Sequence, residues 1–215
     1  MVGLEYHGSG WNDGLMDSRQ GVAAGPGITL APLEPDDREQ FTADNQEAFL
    51  YGATKEFGMR DDHFEEDGQI ISRETIERAI DEEHAEAWRI VMGDRAVGGI
   101  VLNIDRTARR GELELLFVSP DAHSRGIGQA AWREVERMHP EVRTWGLVTP
   151  YFEKRNIHFY VNRLGFHIVE FYNTHHPGPD RADDDCEDGD GMGDMFRFEK
   201  TAGTIAAGCA GAVGA

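Results

Sequence analysis

Residues 112–128, ELELLFVSPDAHSRGIG, join an apolar strand to a loop that ends in two glycines. The first N–H groups of a helix lack partners, and the helix dipole makes that end positive, so an anion fits where this loop enters the next helix. Gly126 and Gly128 lack side chains, which would let a phosphate approach the backbone closely. The same glycines equally suit a plain turn into a closely packed helix, so the surrounding elements must decide.

Two other phosphate-binding motifs fit this stretch poorly. GIGQAA matches the Gly-x-Gly-x-x-Ala fingerprint of dinucleotide sites, but residues 119–125 separate it from its strand, and the next strand ends in LVTP without an acidic residue for a ribose. A P-loop is excluded because no Gly-Lys-Ser/Thr follows. The sequence therefore disfavours nicotinamide, flavin and P-loop nucleotide sites.

The first half of the chain predicts strands and helices in alternation. GITLAPL (27–33) alternates like a strand, and Pro35 opens a helix with one apolar face. Ser72 is placed to cap a second helix, in which Ile76, Ala79, Ile80 and Glu83 repeat at helical spacing. Two apolar runs then flank Gly93-Asp94, which predicts an antiparallel hairpin.

The second half predicts a parallel crossover. The strand ELELLFV, a helix over 126–138 and the strand VRTWGLVT (142–149) form a unit whose length implies two neighbouring parallel strands. A helix over 152–163 and strands at 167–173 and 195–200 follow. We therefore predict an α/β fold with a mixed, mostly antiparallel central sheet, one strand-helix-strand crossover, and helices on both faces.

The composition limits the class of protein. The 215 residues include 40 acidic and 21 basic side chains, giving a formal charge of −19, which disfavours nucleic acid and anionic membranes as partners. The acidity suits either a generally acidic surface or an acidic groove for a cationic substrate. Cys186 and Cys209 have no partners at disulfide or zinc spacing, and no run of 18 apolar residues or signal-peptide pattern occurs. We expect a cytoplasmic protein with tails at 1–26 and 202–215 and one domain over 27–201, including an acidic loop at 177–192.

The motifs resemble those of the GNAT superfamily of acetyl-CoA-dependent N-acetyltransferases. The resemblance covers about residues 27–200, in the order of elements as well as the motifs. The family loop, Arg/Gln-x-x-Gly-x-Gly/Ala, is matched by His123, Ser124, Arg125, Gly126, Ile127 and Gly128. His123 departs from the usual Arg or Gln. RLGF (163–166), after a helix containing asparagine, is a second and independent match.

The resemblance implies a cofactor, a reaction and a class of partner. The pantetheine arm of acetyl-CoA would pair with Leu116, Phe117 and Val118, and the loop would hold the pyrophosphate. A strand N–H near Phe117 would polarise the thioester carbonyl while a small-molecule or peptide primary amine attacks directly in a ternary complex. The resemblance thus implies acetyl-CoA as a co-substrate and no metal. Many members of the family dimerise through their late strands, so a homodimer is one of the oligomeric states that the resemblance allows.

Proton transfer needs a base for the amine and an acid for the leaving thiolate. Glu112 and Glu114, two apart on a strand and so expected on one face, are the candidate bases, or else solvent-facing carboxylates. Tyr160 is the candidate acid, although four residues separate it from Gly165 where the family has three; an extra helical residue would absorb the difference, and otherwise Tyr160 packs in the core. Asn156 is offset similarly and is expected to contact the pantetheine arm or order water.

A second interpretation is a GNAT-like domain that binds acyl-CoA without catalysis, as a sensor or interaction module. The departures at His123 and Tyr160 favour it. Adjacent His175 and His176 suggest a loop or hairpin role rather than a metal site, because neighbouring strand residues point in opposite directions.

Overall fold

The protein folds into a seven-stranded sheet with helices on both faces. The structure is a computed structural model, which describes residues 27–56, 68–123, 126–179 and 194–203. The strands are β1 (Ile28–Pro32), β2 (Ala85–Met92), β3 (Arg95–Asp105), β4 (Arg110–Val118), β5 (Thr144–Pro150), β6 (His167–Tyr172) and β7 (Met195–Thr201). The helices are α1 (Arg38–Tyr51), α2 (Arg73–Asp81), α3 (Ile127–Met138) and α4 (Lys154–His158). Two π-helical turns follow α1 and α4, at Gly52–Glu56 and Phe159–Leu164.

The sheet has the predicted mixed topology. Its order is β1-β2-β3-β4-β5-β7-β6, and every neighbouring pair is antiparallel except β4 and β5. The α3 helix connects those two parallel strands, as the crossover predicts. The predicted fold class is therefore confirmed.

Local sequence signals fix several of the element ends. The Ser72 hydroxyl accepts a hydrogen bond from the Thr75 N–H at 3.1 Å and caps α2. Gly93 takes a φ of 63° in the β2–β3 turn, a conformation that favours glycine. The α2 helix ends at Asp81, so Glu83, which we predicted on its repeat, lies beyond the helix.

The two faces of the sheet carry separate apolar clusters. Ile100 and Leu102 of β3 pack with Trp132 on α3, whereas Val101 between them packs with Phe41 on α1. Because side chains alternate along a strand, α1 and α2 cover one face and α3 covers the other. None of the helices in the described ranges is long and apolar enough to cross a membrane.

The parallel pairing of β4 with β5 is short. It covers Arg110, Gly111 and Glu112 opposite Thr144, Trp145 and Gly146. Beyond Gly146, β5 pairs only with β7, and the remaining residues of β4 pair only with β3. A gap therefore opens in the middle of the sheet, bordered by residues 113–118 of β4, and we refer to it as the β4–β5 gap.

We predict that Gly99→Ala destabilises the fold by about 1–3 kcal/mol, the usual range for overpacking. An added Cβ at Gly99 would overlap the rings of Phe41 and Phe117, which meet edge to face at a centroid distance of 5.1 Å. Urea unfolding measures the loss. Gly52→Ala is the matched control, because a Cβ there meets nothing within 4 Å and the backbone is helical, so its stability should stay within about 1 kcal/mol of the wild type. Equal stability of the two variants would contradict the prediction.

Candidate active site

The backbone of β4 directs polar groups into the β4–β5 gap, where no described strand pairs with them. The Ser119 N–H donates to the Val97 carbonyl at 2.9 Å, and the Phe117 carbonyl lies against Gly98, so both residues direct their backbone groups toward β3. Alternation then turns the backbone groups of Leu116 and Val118 toward the gap. Of the three residues expected to pair with pantetheine, these two direct their backbone groups toward the gap, on either side of Phe117.

His123 closes the end of this edge. Its Nε2 lies 2.7 Å from the Val118 carbonyl oxygen, and since a carbonyl only accepts, Nε2 carries the proton that is donated. The ring also meets Tyr51 of α1 edge to face, with centroids 5.5 Å apart. The residue that replaces the family's Arg or Gln thus contacts β4 itself. Ser124 and Arg125, the next two predicted loop residues, lie outside the described residues.

Gly126 and Gly128 are required for different structural reasons. Gly126 adopts φ 72° immediately before α3, and a Cβ on it would meet no described residue within 4 Å. Among the described residues no side chain caps this end of α3, where the first N–H groups of a helix suit an anion. Ile127 is buried in the core, and a Cβ on Gly128 would come within 3.0 Å of the Phe159 ring. Gly126 therefore suits ligand approach, whereas Gly128 permits close packing.

Glu112 is held in an ion pair that the sequence did not reveal. Arg197 of β7 donates to both of its carboxylate oxygens, at 2.7 and 2.6 Å. Gly146 on the intervening β5 makes room, because a Cβ there would overlap both side chains. A bidentate guanidinium engages a carboxylate strongly, so Glu112 has to leave or share this pair before it accepts a proton.

Glu114 lies at an irregularity in β4. Leu102 is opposite Leu113 and Val101 is opposite Leu115, which leaves Glu114 as the extra, exposed residue. Leu113 packs in the α3 cluster, whereas Leu115 packs in the α1 cluster. Strict alternation fails here, so the expectation that Glu112 and Glu114 share a face because they are two residues apart loses its basis.

Tyr160 lies in the π-helical turn that follows α4, and this turn accommodates the extra residue before Gly165. The Tyr160 carbonyl accepts from the N–H groups of Gly165 and Phe166, five and six residues later. Its ring packs against Phe166 and Phe198, with centroids 6.2 and 5.8 Å away. Tyr160 is thus a partly buried residue packed against the core, and its role as an acid stays a prediction.

Glu153, which we did not predict, precedes α4 and lies beside Asn156. Asn156 Nδ2 donates to Glu153 Oε2. Burial raises the pKa of Glu153, partly opposed by this hydrogen bond. Burial, and then the negative charge of Glu153, raise the pKa of Tyr160. No signal in the sequence marks Glu153, because its environment depends on how α4 packs.

No metal centre is present among the described residues, where no three His, Cys, Asp or Glu side chains lie close enough together to hold an ion. His176 instead follows a turn begun by Asn173 and contacts Glu170, with 2.7 Å between Nε2 and Oε1. That contact agrees with the hairpin role predicted for the histidine pair.

The chain belongs to the acetyltransferase (GNAT) family, whose model matches residues 42–166. The β4–β5 gap, Gly126 and α3 all lie in that region. A relative, the uncharacterized protein YrkN of Bacillus subtilis (strain 168), is 39% identical over 178 residues, which cover 81% of this chain and 94% of YrkN.

Solved structures with the same fold include several acetyltransferases. The ribosomal-protein-S18-alanine N-acetyltransferase from Escherichia coli aligns with a TM-score of 0.57 at 15% identity, covering 84% of this chain and 97% of that one. The PaiA N-acetyltransferase from Thermoplasma acidophilum, in complex with coenzyme A, aligns at 0.56 and 19%, covering 81% and 98%. The spermidine N-acetyltransferase from Vibrio cholerae, in complex with CoA and spermine, aligns at 0.55 and 14%, covering 81% and 95%.

We predict that Glu153→Gln gains stability relative to the wild type as the pH rises. Because folding raises the pKa of Glu153, its protonated form stabilises the fold below the unfolded pKa, and this contribution is lost as the pH rises through the folded pKa. The glutamine side chain has nearly the same shape as that of Glu153 but carries no charge at any pH. Melting temperatures of both proteins between about pH 4 and pH 8 test this, and a difference that is constant over that range would contradict it.

Proposed function

We propose that the protein transfers an acetyl group from acetyl-CoA to a primary amine by direct attack in a ternary complex. The observation that carries this proposal is the exposed edge of β4 at Leu116 and Val118, in the middle of the sheet, where a chain of amide groups would pair like an added strand. Pantetheine has two amide groups spaced along an extended arm, which suits such an edge. A cytoplasmic location would supply this co-substrate.

The loop before α3 is the proposed pyrophosphate site. The N–H groups at Gly126, Ile127 and Gly128 lie at the positive end of a 12-residue helix, and the backbone at Gly126 is open. Ser124 and Arg125 belong to this proposal from their place in the motif. His123 contributes by ordering the end of β4 through Val118 rather than as a cation.

The thioester is then placed beside β4. The N–H of Leu116 or of Val118 would donate to the carbonyl oxygen and stabilise the negative charge that develops during attack. The proposed acid for the leaving thiolate is Tyr160, and Asn156 would contact the arm or order water. Glu112 and Glu114 are the proposed bases for the amine, with Glu112 acting when Arg197 shares it.

The acceptor is proposed to be a small-molecule or peptide amine. The solved neighbours whose names state an acceptor act on spermidine and on an alanine of ribosomal protein S18. A screen should therefore begin with polyamines and with short peptides that start with alanine. If uncharged amines are better acceptors than polyamines at low salt, an acidic acceptor groove is refuted.

A second candidate function is acyl-CoA binding without catalysis. One observation favours it: both carboxylate oxygens of Glu112 are taken by Arg197, so the expected base is engaged. Both functions predict acetyl-CoA binding. Only the enzyme predicts thiol release that depends on an amine.

We expect acetyl-CoA to bind saturably in calorimetric titration and NADH not to bind. Gly126→Ala should weaken acetyl-CoA binding at least tenfold, because the new Cβ lies within 4 Å of no described residue and would intrude on the bound ligand. The φ of 72° adds strain of about 1 kcal/mol, so the melting temperature must be measured in parallel. Gly27→Ala, also without neighbours, is the control. If the wild type does not bind acetyl-CoA, the proposed function is wrong, and the protein shares only its fold with the enzymes of the family.

We expect Glu112→Gln to lower amine-dependent thiol release about 100-fold or more, as loss of a general base does, while acetyl-CoA binding persists. Glu114→Gln should have the smaller effect, because Glu114 is exposed at the strand irregularity. Arg197→Gln separates the role of Glu112 as a base from its role in the ion pair, because this change breaks the ion pair but keeps the Glu112 carboxylate. If Glu112→Gln and Arg197→Gln lose stability alike and neither changes turnover, Glu112 is structural only.

A further inference from the structure

Arg197 lies on a face of the sheet that is open to solvent beside the β4–β5 gap. Phe196 and Phe198, its neighbours on β7, pack in the apolar cluster on the α3 side, so alternation turns Arg197 to the opposite face. Val148, the residue of β5 opposite Arg197, is 41% exposed there. The pairing of β5 with β4 has already ended at Gly146. Arg197 therefore borders the gap at a position that a second substrate can approach.

The guanidinium of Arg197 has hydrogen-bond donors that Glu112 does not use. A guanidinium donates from more than one edge of a planar fork, and the two hydrogen bonds to Glu112 use the edge formed by Nη1 and Nη2. The Arg197 Nε donates to no described residue, and it is not buried. The edge formed by Nε and one Nη can therefore hold a second carboxylate while the other edge still holds Glu112.

The other carboxylates near Arg197 are already engaged. Glu199 lies 3.8 Å from the Arg197 Nη2, but it accepts a hydrogen bond of 2.5 Å from a different arginine, Arg110. Glu170, opposite Arg197 on β6, contacts His176, with 2.7 Å between Oε1 and Nε2. Among the described residues, neither Glu199 nor Glu170 hydrogen bonds to Arg197, so neither replaces Glu112 in its pair.

Release of Glu112 therefore requires an anion that takes its place on the guanidinium. Only 17% of the Arg197 side chain is exposed. Leaving this guanidinium without a hydrogen-bonded carboxylate is costly, because its charge would be neither paired nor fully hydrated. A carboxylate that arrives with the acceptor keeps the charge of Arg197 paired while Glu112 turns to the amine.

We propose that the acceptor is a short amino acid, whose carboxylate binds the second edge of Arg197 and whose amine reaches Glu112. This inference rests on the proposed acetyltransferase function and names its substrate class. Both oxygens of Glu112 accept from Arg197, so an amine bonded to either oxygen lies within roughly 6 Å of the guanidinium, the length of two hydrogen bonds. The amine and the carboxylate of the acceptor are then about one to three carbon atoms apart.

The reaction in this scheme is ordinary amide formation. The ammonium group of the acceptor passes one proton to Glu112, and the neutral nitrogen forms a bond to the acetyl carbon. The C–S bond breaks, and its electron pair goes to sulfur. The nitrogen loses its second proton as the amide forms, and the thiolate gains one. Arg197 stays protonated throughout: it binds the acceptor carboxylate and thereby frees Glu112.

The test compares thiol release with glycine, β-alanine and 4-aminobutyrate against release with the amide of each. We expect the wild type to prefer at least one acid over its amide about tenfold or more in kcat/KM, because the amide leaves the second edge of Arg197 unpaired. Arg197→Gln should remove this preference by lowering kcat/KM for the acid and not for the amide. Comparing the ratio between proteins cancels the different basicity of the two amines.

Two further variants separate carboxylate binding from folding. Arg197→Lys keeps a positive charge for Glu112 but has no second edge for another carboxylate, so the melting temperature should hold while the preference falls. Arg38→Gln is the matched control, because Arg38 also engages a carboxylate through two hydrogen bonds, of 2.7 and 2.8 Å, but joins α1 to Asp81 of α2. It should keep the wild-type preference.

A second readout does not depend on turnover. The acid with the highest kcat/KM and its amide are titrated calorimetrically into the protein saturated with CoA, which carries no acetyl group. We expect the acid to bind about tenfold more tightly than the amide in the wild type and in Arg38→Gln, and equally weakly in Arg197→Gln. Equal binding of acid and amide by the wild type overturns the inference.

The remaining outcomes separate this inference from the proposed function. A wild type that acetylates amines without distinguishing acid from amide, or a preference that persists in Arg197→Gln, overturns the role of Arg197 and leaves the proposed function intact. A wild type that binds acetyl-CoA but releases no thiol with any amine refutes the proposed function, and this inference with it.

Discussion

The early separation of β5 from β4 is the constraint on which the rest of the structure depends. The two strands pair over three residues and part after Glu112 and Gly146, because β5 follows β7 along its whole length. Arg197 of β7 reaches across Gly146 to Glu112, so the last paired position is also held by an ion pair. Beyond this position no described strand pairs with the β5 side of β4, where the backbone groups of Leu116 face the gap and the Val118 carbonyl accepts from His123.

The helices beside the gap are coupled to each other as well as to the sheet. Gly128 of α3 lets the Phe159 ring approach, and Gln129 donates to the Arg163 carbonyl at 2.8 Å. The start of α3 is therefore fixed against the π-helical turn that contains Tyr160. The start of α3 and the Tyr160 phenol, far apart in sequence, thus keep a constant position relative to each other.

Short-range signals predicted much of the fold, whereas contacts between distant segments did not follow from the sequence. The Ser72 cap, the Gly93 turn and the crossover each depend on a few neighbouring residues. The pairing of Glu112 with Arg197 joins positions 85 residues apart. The irregularity at Glu114 depends on the register of β4 against β3. The two-residue spacing of Glu112 and Glu114 therefore could not show which face of the sheet Glu114 occupies. Tyr160 is intermediate: its spacing from Gly165 indicated an extra residue, and only helix geometry shows the π-helical turn that accommodates it.

Two carboxylates near the gap illustrate how surroundings assign chemistry. Glu112 accepts two hydrogen bonds from the Arg197 guanidinium, whereas Glu153 accepts one from the Asn156 amide in partly buried surroundings that raise its pKa. Acyl transfer to an amine needs one group that removes a proton and another that supplies one. The neighbours of the two carboxyl groups, rather than the residue type, therefore distinguish the two sites.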